Sequence, residues 1–235
     1  KQQHWSLLTS SSFPSEWKNN FPNCGGQRQS PINIITRKVK HDPKLTSFIF
    51  DGHENVFNMS SVRLRGGGLP ATYKAVQFHL HWGENGGQGS EHSVDGECYP
   101  MELHIVHIKE KYGSLGDALN DSTGVAALAF FFEVLIPLVI EALGKVREIE
   151  DFKLTDIIPQ ANKLNYYRYL GSLTTPGCDQ AVVWTVFQQT LPISKKQVQR
   201  DFFFFLLFNT DYNHQYLRRM KADLNSNASF FSCFS

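Results

Sequence analysis

Three histidines on two short segments have the types and spacing to hold a metal ion. His79 and His81 fall in Gln77-Phe-His-Leu-His-Trp-Gly83, and His104 falls in Glu102-Leu-His-Ile-Val-His107. A β-strand turns successive side chains to opposite faces, so His79 and His81 share one face and offer two imidazoles to one ion. If the segment from Met101 to His107 pairs alongside, His104 adds a third nitrogen and leaves one tetrahedral position for water, the arrangement of a catalytic rather than a structural zinc site. The chemistry open to such a centre is hydrolysis or hydration. A lone His-x-His pair is more often part of a core than of a metal site. Two polar residues shift the balance, because ligand imidazoles usually donate their second N–H to an amide, carboxylate or carbonyl. Gln77 stands two residues before His79 and Glu102 two before His104, each on its histidine's face. His107 falls on the face opposite His104 and is read as structural.

The elements that must position these residues are short and β-rich, separated by turns at Asp51-Gly52, Gly66-Gly67-Gly68 and Asn85-Gly86-Gly87. With 235 residues, 41% apolar and 19% charged, the chain can bury one substantial core, and no linker, charge block or repeat divides it. One domain over residues 1–235 is expected. A formal net charge of +1 gives no electrostatic reason to expect a nucleic acid or an anionic membrane as partner. The glycine-rich stretch from Arg63 to Pro70 lacks the lysine of a phosphate loop and reads as a turn. Two apolar runs are too short or too interrupted to span a membrane. Val125 to Ile140 contains Glu133 and Pro137 and reads as a buried strand through Val134 followed by a helix to about Lys145. Phe202 to Phe208 reads as the buried side of a short helix. Taken singly, Thr174-Thr175 before Pro176 is a plain turn and Glu91 a surface charge.

Five ordered motifs change the weight of these residues. Gln29-Ser-Pro-Ile-Asn-Ile34, Phe78-His-Leu-His-Trp-Gly83, Gly89-Ser-Glu-His92, Glu102-Leu-His-Ile-Val-His107 and Gly171-Ser-Leu-Thr-Thr-Pro176 together resemble the α-class carbonic anhydrases, over a stretch from His4-Trp5 to about Met220. Within the family the likeness is greatest to the secreted, membrane-anchored branch. The resemblance implies an α+β, mainly β domain: a large twisted, mostly antiparallel central sheet with short surface helices. It also implies Zn2+ on His79, His81 and His104, with Gln77 and Glu102 in support, and reversible conversion of carbon dioxide and water to bicarbonate and a proton. Zinc favours hydroxide over water, the carbonic anhydrases being the reference example of bound water brought to a pKa of about 7. By the same likeness Thr174 accepts a hydrogen bond from that hydroxide and donates to Glu91, which as a carboxylate can only accept and so fixes the direction of the threonine hydroxyl. Thr175 then lies beside bicarbonate, and Val106, Val125, Ala127, Leu173, Val182 and Trp184 wall an apolar pocket for an apolar substrate. Sulfonamide-type inhibitors are expected ligands.

The resemblance further implies a Cys24–Cys178 disulfide and an extracellular protein, secreted or held at the outer membrane surface by a lipid anchor. The alternative for these cysteines is a pair of buried thiols. Cys98 and Cys233 have no counterpart and are unassigned. Sequons at Asn58, Asn120 and Asn227 fit the same compartment, and a chain opening without a signal peptide is expected of a mature or a trimmed form.

Three departures from the family pattern stand out. The family carries a proton-shuttling histidine in an Asn-Gly-His motif on a strand after Phe48-Ile-Phe-Asp-Gly-His53, but this chain reaches Gly66 early. His53 is either that histidine in a shortened segment or, on the favoured alignment, a surface residue with the shuttle strand absent. The second departure is between Val134 and Leu135, where the family has a loop. The third is the C-terminus from about residue 222, which lacks the family's closing segment and puts one support of His81 in question; Leu7 also replaces a family tyrosine. Two functions stay open: an active enzyme, and a carbonic-anhydrase-like zinc-binding module with little or no activity.

Overall fold

In this computed structural model the described residues are 14–53, 61–83, 86–135, 154–158 and 163–194. The expectations for Leu7, Asn58, Asn227, Cys233, the helix to Lys145, the Phe202–Phe208 run and the C-terminus lie outside them. In chain order the strands are β1 (Asn33–Ile34), β2 (Phe48–Asp51), β3 (Arg63–Gly66), β4 (Tyr73–Trp82), β5 (Ser93–Val94) and β6 (Met101–Lys109), then β7 (Val125–Leu135), β8 (Tyr166–Gly171), β9 (Val182–Phe187) and β10 (Leu191–Ser194). The helices are four-residue pieces, α1 (Leu115–Ala118) and α2 (Leu154–Ile157), with short 3-10 turns near the N-terminal end.

Eight strands form one sheet in the order β2-β3-β4-β6-β7-β9-β8, with β10 also on β7. Five of its seven pairings are antiparallel; β7 runs parallel to both β9 and β10. The expected mainly-β domain is thus observed, its sheet mixed but mostly antiparallel. β7 is central because it can be: Val125 to Phe131 is buried at every position, the signature of a strand covered on both faces. Its first half pairs with β9 (Val125↔Val182 to Ala129↔Val186) and its second with β10 (Phe132↔Leu191 to Leu135↔Ser194). The strand continues one residue past the expected end at Val134. At the end of β3, Gly66, Gly67 and Gly68 have φ of +76°, +56° and +68°, a left-handed run that side chains with a Cβ resist.

Alternation along β6 divides the molecule. Leu103 and Ile105 join a cluster with Phe78, Leu128, Phe130 and Phe187 on one face; Val106 and Ile108 join Val125, Ala127, Val182 and Trp184 on the other. His104 belongs to the second face and His107 to the first, and both are buried. His53 is a correction. It is 4% exposed rather than on the surface, its ring set edge-on to Phe50 at 4.8 Å and stacked on His107 at 6.4 Å. An imidazole is apolar enough on its faces to fill that space once Phe50 and His107 are brought there by long-range pairing.

Cys24 and Cys178 form the expected disulfide, with Cα atoms 4.9 Å apart across 154 residues of sequence. Cys98 is disulfide-bonded as well.

Candidate metal centre

β4 and β6 run antiparallel with His79 directly opposite His104 and His81 opposite Glu102. A register shift between Ala75 and Gln77 precedes the histidines, which then alternate regularly with Phe78 and Leu80. The result is three converging imidazoles. His81 Nε2 lies 3.0 Å and His79 Nε2 3.3 Å from His104 Nδ1. The edge of a tetrahedron with metal–nitrogen bonds of about 2.0–2.1 Å is about 3.3 Å, so this spacing fits zinc.

The proton on His104 is placed by its neighbour. Glu102 Oε1 is 2.7 Å from His104 Nε2, and a carboxylate only accepts, so Nε2 carries the hydrogen and the Nδ1 lone pair faces His79 and His81. Glu102 is fully buried. Oε1 also accepts from His92 Nδ1 at 2.6 Å, and Oε2 from the backbone N–H groups of Glu91 and His92, both at 2.8 Å. Burial alone would raise this carboxyl's pKa, but the two histidines and their hydrogen bonds outweigh it and hold Glu102 well below the usual carboxylate range. Burial pushes the three candidate ligands the other way, toward the neutral form that binds metal: His79 falls to about 3, opposed by Glu102, while His81 and His104 also fall.

From His92 the contacts run outward. His92 Nε2 is 2.7 Å from the Tyr169 hydroxyl, itself 2.8 Å from Ser30 Oγ. Ser30 N–H donates to Ser172 Oγ at 2.9 Å and Ser172 N–H to Ser30 Oγ at 3.0 Å, anchoring the start of the Ser172-Leu-Thr-Thr-Pro176 loop. Trp184 Nε1–H donates to Ser172 O at 3.0 Å, its ring 4.8 Å from both His92 and His104. Gly171 permits this crowding, since a Cβ there would collide with Ser30 Oγ and sit 2.7 and 2.9 Å from Tyr169 and Trp184.

Thr174 is half-buried, and its hydroxyl favours the charged form of the Glu91 carboxyl, whose Oε2 is buried with no hydrogen-bond partner among the described residues. Glu91 Oε1 is 3.5 Å from His81 Nδ1 and Oε2 3.8 Å from His104 Nδ1, so the carboxyl borders the imidazoles. Burial and the charge of Glu102 raise it to about 8, and Thr174 lowers it in part. Val106, Val125, Ala127, Val182 and Trp184 share one buried cluster, with Leu173 packed against it. Thr175 is exposed on the same loop, and its carbonyl accepts from Cys178 N–H at 3.0 Å. Gln77 lies on the face of His79; among the described residues it makes no hydrogen bond to that ring.

A match to the eukaryotic-type carbonic anhydrase family model covers residues 12–227. The chain belongs to the carbonic anhydrase family. It is 41% identical over 217 residues to carbonic anhydrase 4 of Rattus norvegicus, covering 79% of this chain and 68% of that protein. It is 40% identical over 220 residues to carbonic anhydrase 15 of Mus musculus, with the same coverage. To carbonic anhydrase 3 of Bos taurus it is 33% identical over 214 residues, covering 80% and 82%. Carbonic anhydrases are enzymes that hydrate carbon dioxide, and the three-histidine cluster of this member is compatible with their use of zinc. The residues that sequence reasoning missed are His92, Tyr169 and Ser30. His92 adjoins Glu91 in a quoted motif and Ser30 lies in another, but nothing local reveals that they converge on Glu102.

Proposed function

We propose that this chain catalyses the reversible hydration of carbon dioxide to bicarbonate and a proton, with zinc held by His79, His81 and His104. One observation carries the reading: His104, its tautomer fixed by Glu102, aims a lone pair at the two Nε2 atoms of β4, a cluster of acceptors that calls for a cation. Bound there, zinc supplies a hydroxide nucleophile near neutral pH, the effect for which this family is the reference case.

The chain's own residues do the rest. The Glu91 carboxylate accepts from the Thr174 hydroxyl, which turns the threonine oxygen's lone pairs toward the nucleophile and orients it. With a dication held by the three histidines, Glu91 would keep its charged, accepting form against the burial that raises its pKa. The apolar side chains of Val106, Val125, Ala127, Leu173, Val182 and Trp184 receive carbon dioxide without competing for it with water, and Thr175 lies where the more polar product can leave. Glu102 and His92 keep His104 in register, and Gln77 stands on the same face of β4 as His79.

The test is metal analysis joined to stopped-flow hydration of carbon dioxide. One equivalent of zinc, activity lost with a chelator and restored by zinc, and inhibition by an aromatic sulfonamide are expected. A zinc-loaded, folded protein that hydrates no carbon dioxide would instead establish the non-catalytic binding module. We also propose an extracellular setting, supported by the Cys24–Cys178 disulfide, a bond that persists in oxidising compartments.

A further inference from the structure

The turn between α1 and β7 contains Asn120-Asp-Ser122, the one sequon of the three that falls within the described residues. Asp121 is clamped. Its Oδ2 accepts from Lys109 Nζ at 2.7 Å and the Tyr112 hydroxyl at 2.9 Å, and its Oδ1 from Thr123 N–H at 3.0 Å and Thr123 Oγ1 at 3.1 Å. Its N–H donates to Ala118 O at 3.1 Å, and its carbonyl accepts from Gly124 N–H at 2.7 Å. With the middle residue drawn in, the two that define the acceptor are turned out: Asn120 and Ser122 are both exposed. Neither side chain makes a hydrogen bond among the described residues. The turn therefore holds its shape without them.

We propose that Asn120 is an N-glycosylation site, which rests on the extracellular reading above. The donor class is an N-acetylglucosamine-terminated oligosaccharide on a lipid diphosphate. Asn120 Nδ2 forms a bond to the sugar's C1 as the C1–O bond to the diphosphate breaks. The diphosphate leaves with the electron pair, and the amide proton passes to a base of the transferase. Transfer occurs on the translocating chain, so the fold's part is to accommodate the product. An exposed Asn120 beside an internally clamped Asp121 does that without displacing a core group or a turn hydrogen bond. Lys109, which anchors the turn, is five residues beyond His104 on β6, roughly 17 Å at about 3.3 Å per residue, so the glycan stands clear of the metal centre.

The test is expression of the full chain behind a supplied secretion signal, with a known acceptor sequon fused after Ser235 to report entry into the secretory pathway. Enzymatic deglycosylation in 18O water and peptide mapping are done on secreted and retained protein alike. The 18O label is expected at residue 120, is expected to vanish in Ser122→Ala and persist in Ser122→Thr, and deglycosylation should leave zinc content and hydration rate unchanged. Unmodified Asn120 in chains whose fused sequon is occupied would overturn the proposal. Because entry is forced and reported, that result is distinct from failure of the extracellular reading, which is tested by where the protein expressed from its own gene is recovered.

Discussion

Each oxygen of Glu102 accepts two hydrogen bonds, and an amide in its place has one oxygen and a donor where the other should be. Glu102→Gln therefore sets an N–H against either His104 and His92 or the two backbone amides, and zinc affinity should fall roughly 10–100-fold, measured by competition with a chromogenic chelator. Unchanged affinity would remove Glu102 from the support of His104. Thr174→Ala and His104→Ala should part company: the first keeps zinc but slows hydration severely, because only orientation of the nucleophile is lost, whereas the second loses metal and activity together. Stopped-flow rates paired with zinc content decide this, and normal turnover in the threonine variant refutes its role.

Along β4 and β6, the residues facing the candidate metal centre were legible from alternation alone, since each imidazole and each polar neighbour keeps the parity of its strand. What the strands do to each other was not. The pairing of His79 with His104 depends on the register shift at Ala75, and His53 was misread as surface because its surroundings, Phe50 and His107, come from different strands. His107 shows the cost of that far face. Burial and the neighbouring His53 imidazole hold it at about 3, against about 6.5 in an unfolded chain. The unfolded form then binds the extra proton below about pH 6.5, so His107 costs the fold increasing stability as pH drops toward 3. His107→Gln should flatten the acid side of the thermal-stability profile between those values; an equally steep profile would show that other groups set it. His53 is committed to the same face, away from Thr174, so His53→Ala should leave hydration unchanged while lowering the melting temperature. Turnover should instead rise with the concentration of a small imidazole buffer, which supplies a proton acceptor near neutral pH. A rate indifferent to buffer, or one that collapses in His53→Ala, would make His53 the shuttle.

At the scale of the whole molecule, one covalent link joins the two ends of the described chain. The Cys24–Cys178 bond closes a loop of 154 residues, and its removal should cost roughly 2–5 kcal/mol, because the unfolded chain regains the freedom the link denies it. Cys24→Ser/Cys178→Ser should therefore shift the denaturant midpoint down, and no shift would mean that Ser30, Ser172 and Tyr169 hold that region unaided. The same economy of long-range ties governs which changes of length the fold admits. Alternate residues of β4 from Gln77 and of β6 from Glu102 carry the three histidines and their polar neighbours on one face while the others pack on the opposite face, so inserting or deleting one residue between Gln77 and His81, or between Glu102 and His107, exchanges the two sets beyond it. No repacking of individual side chains repairs such a slip. The two shortenings expected from the sequence, between His53 and Gly66 and between Val134 and Leu135, fall outside those two strands, as a frame that counts residues in twos requires.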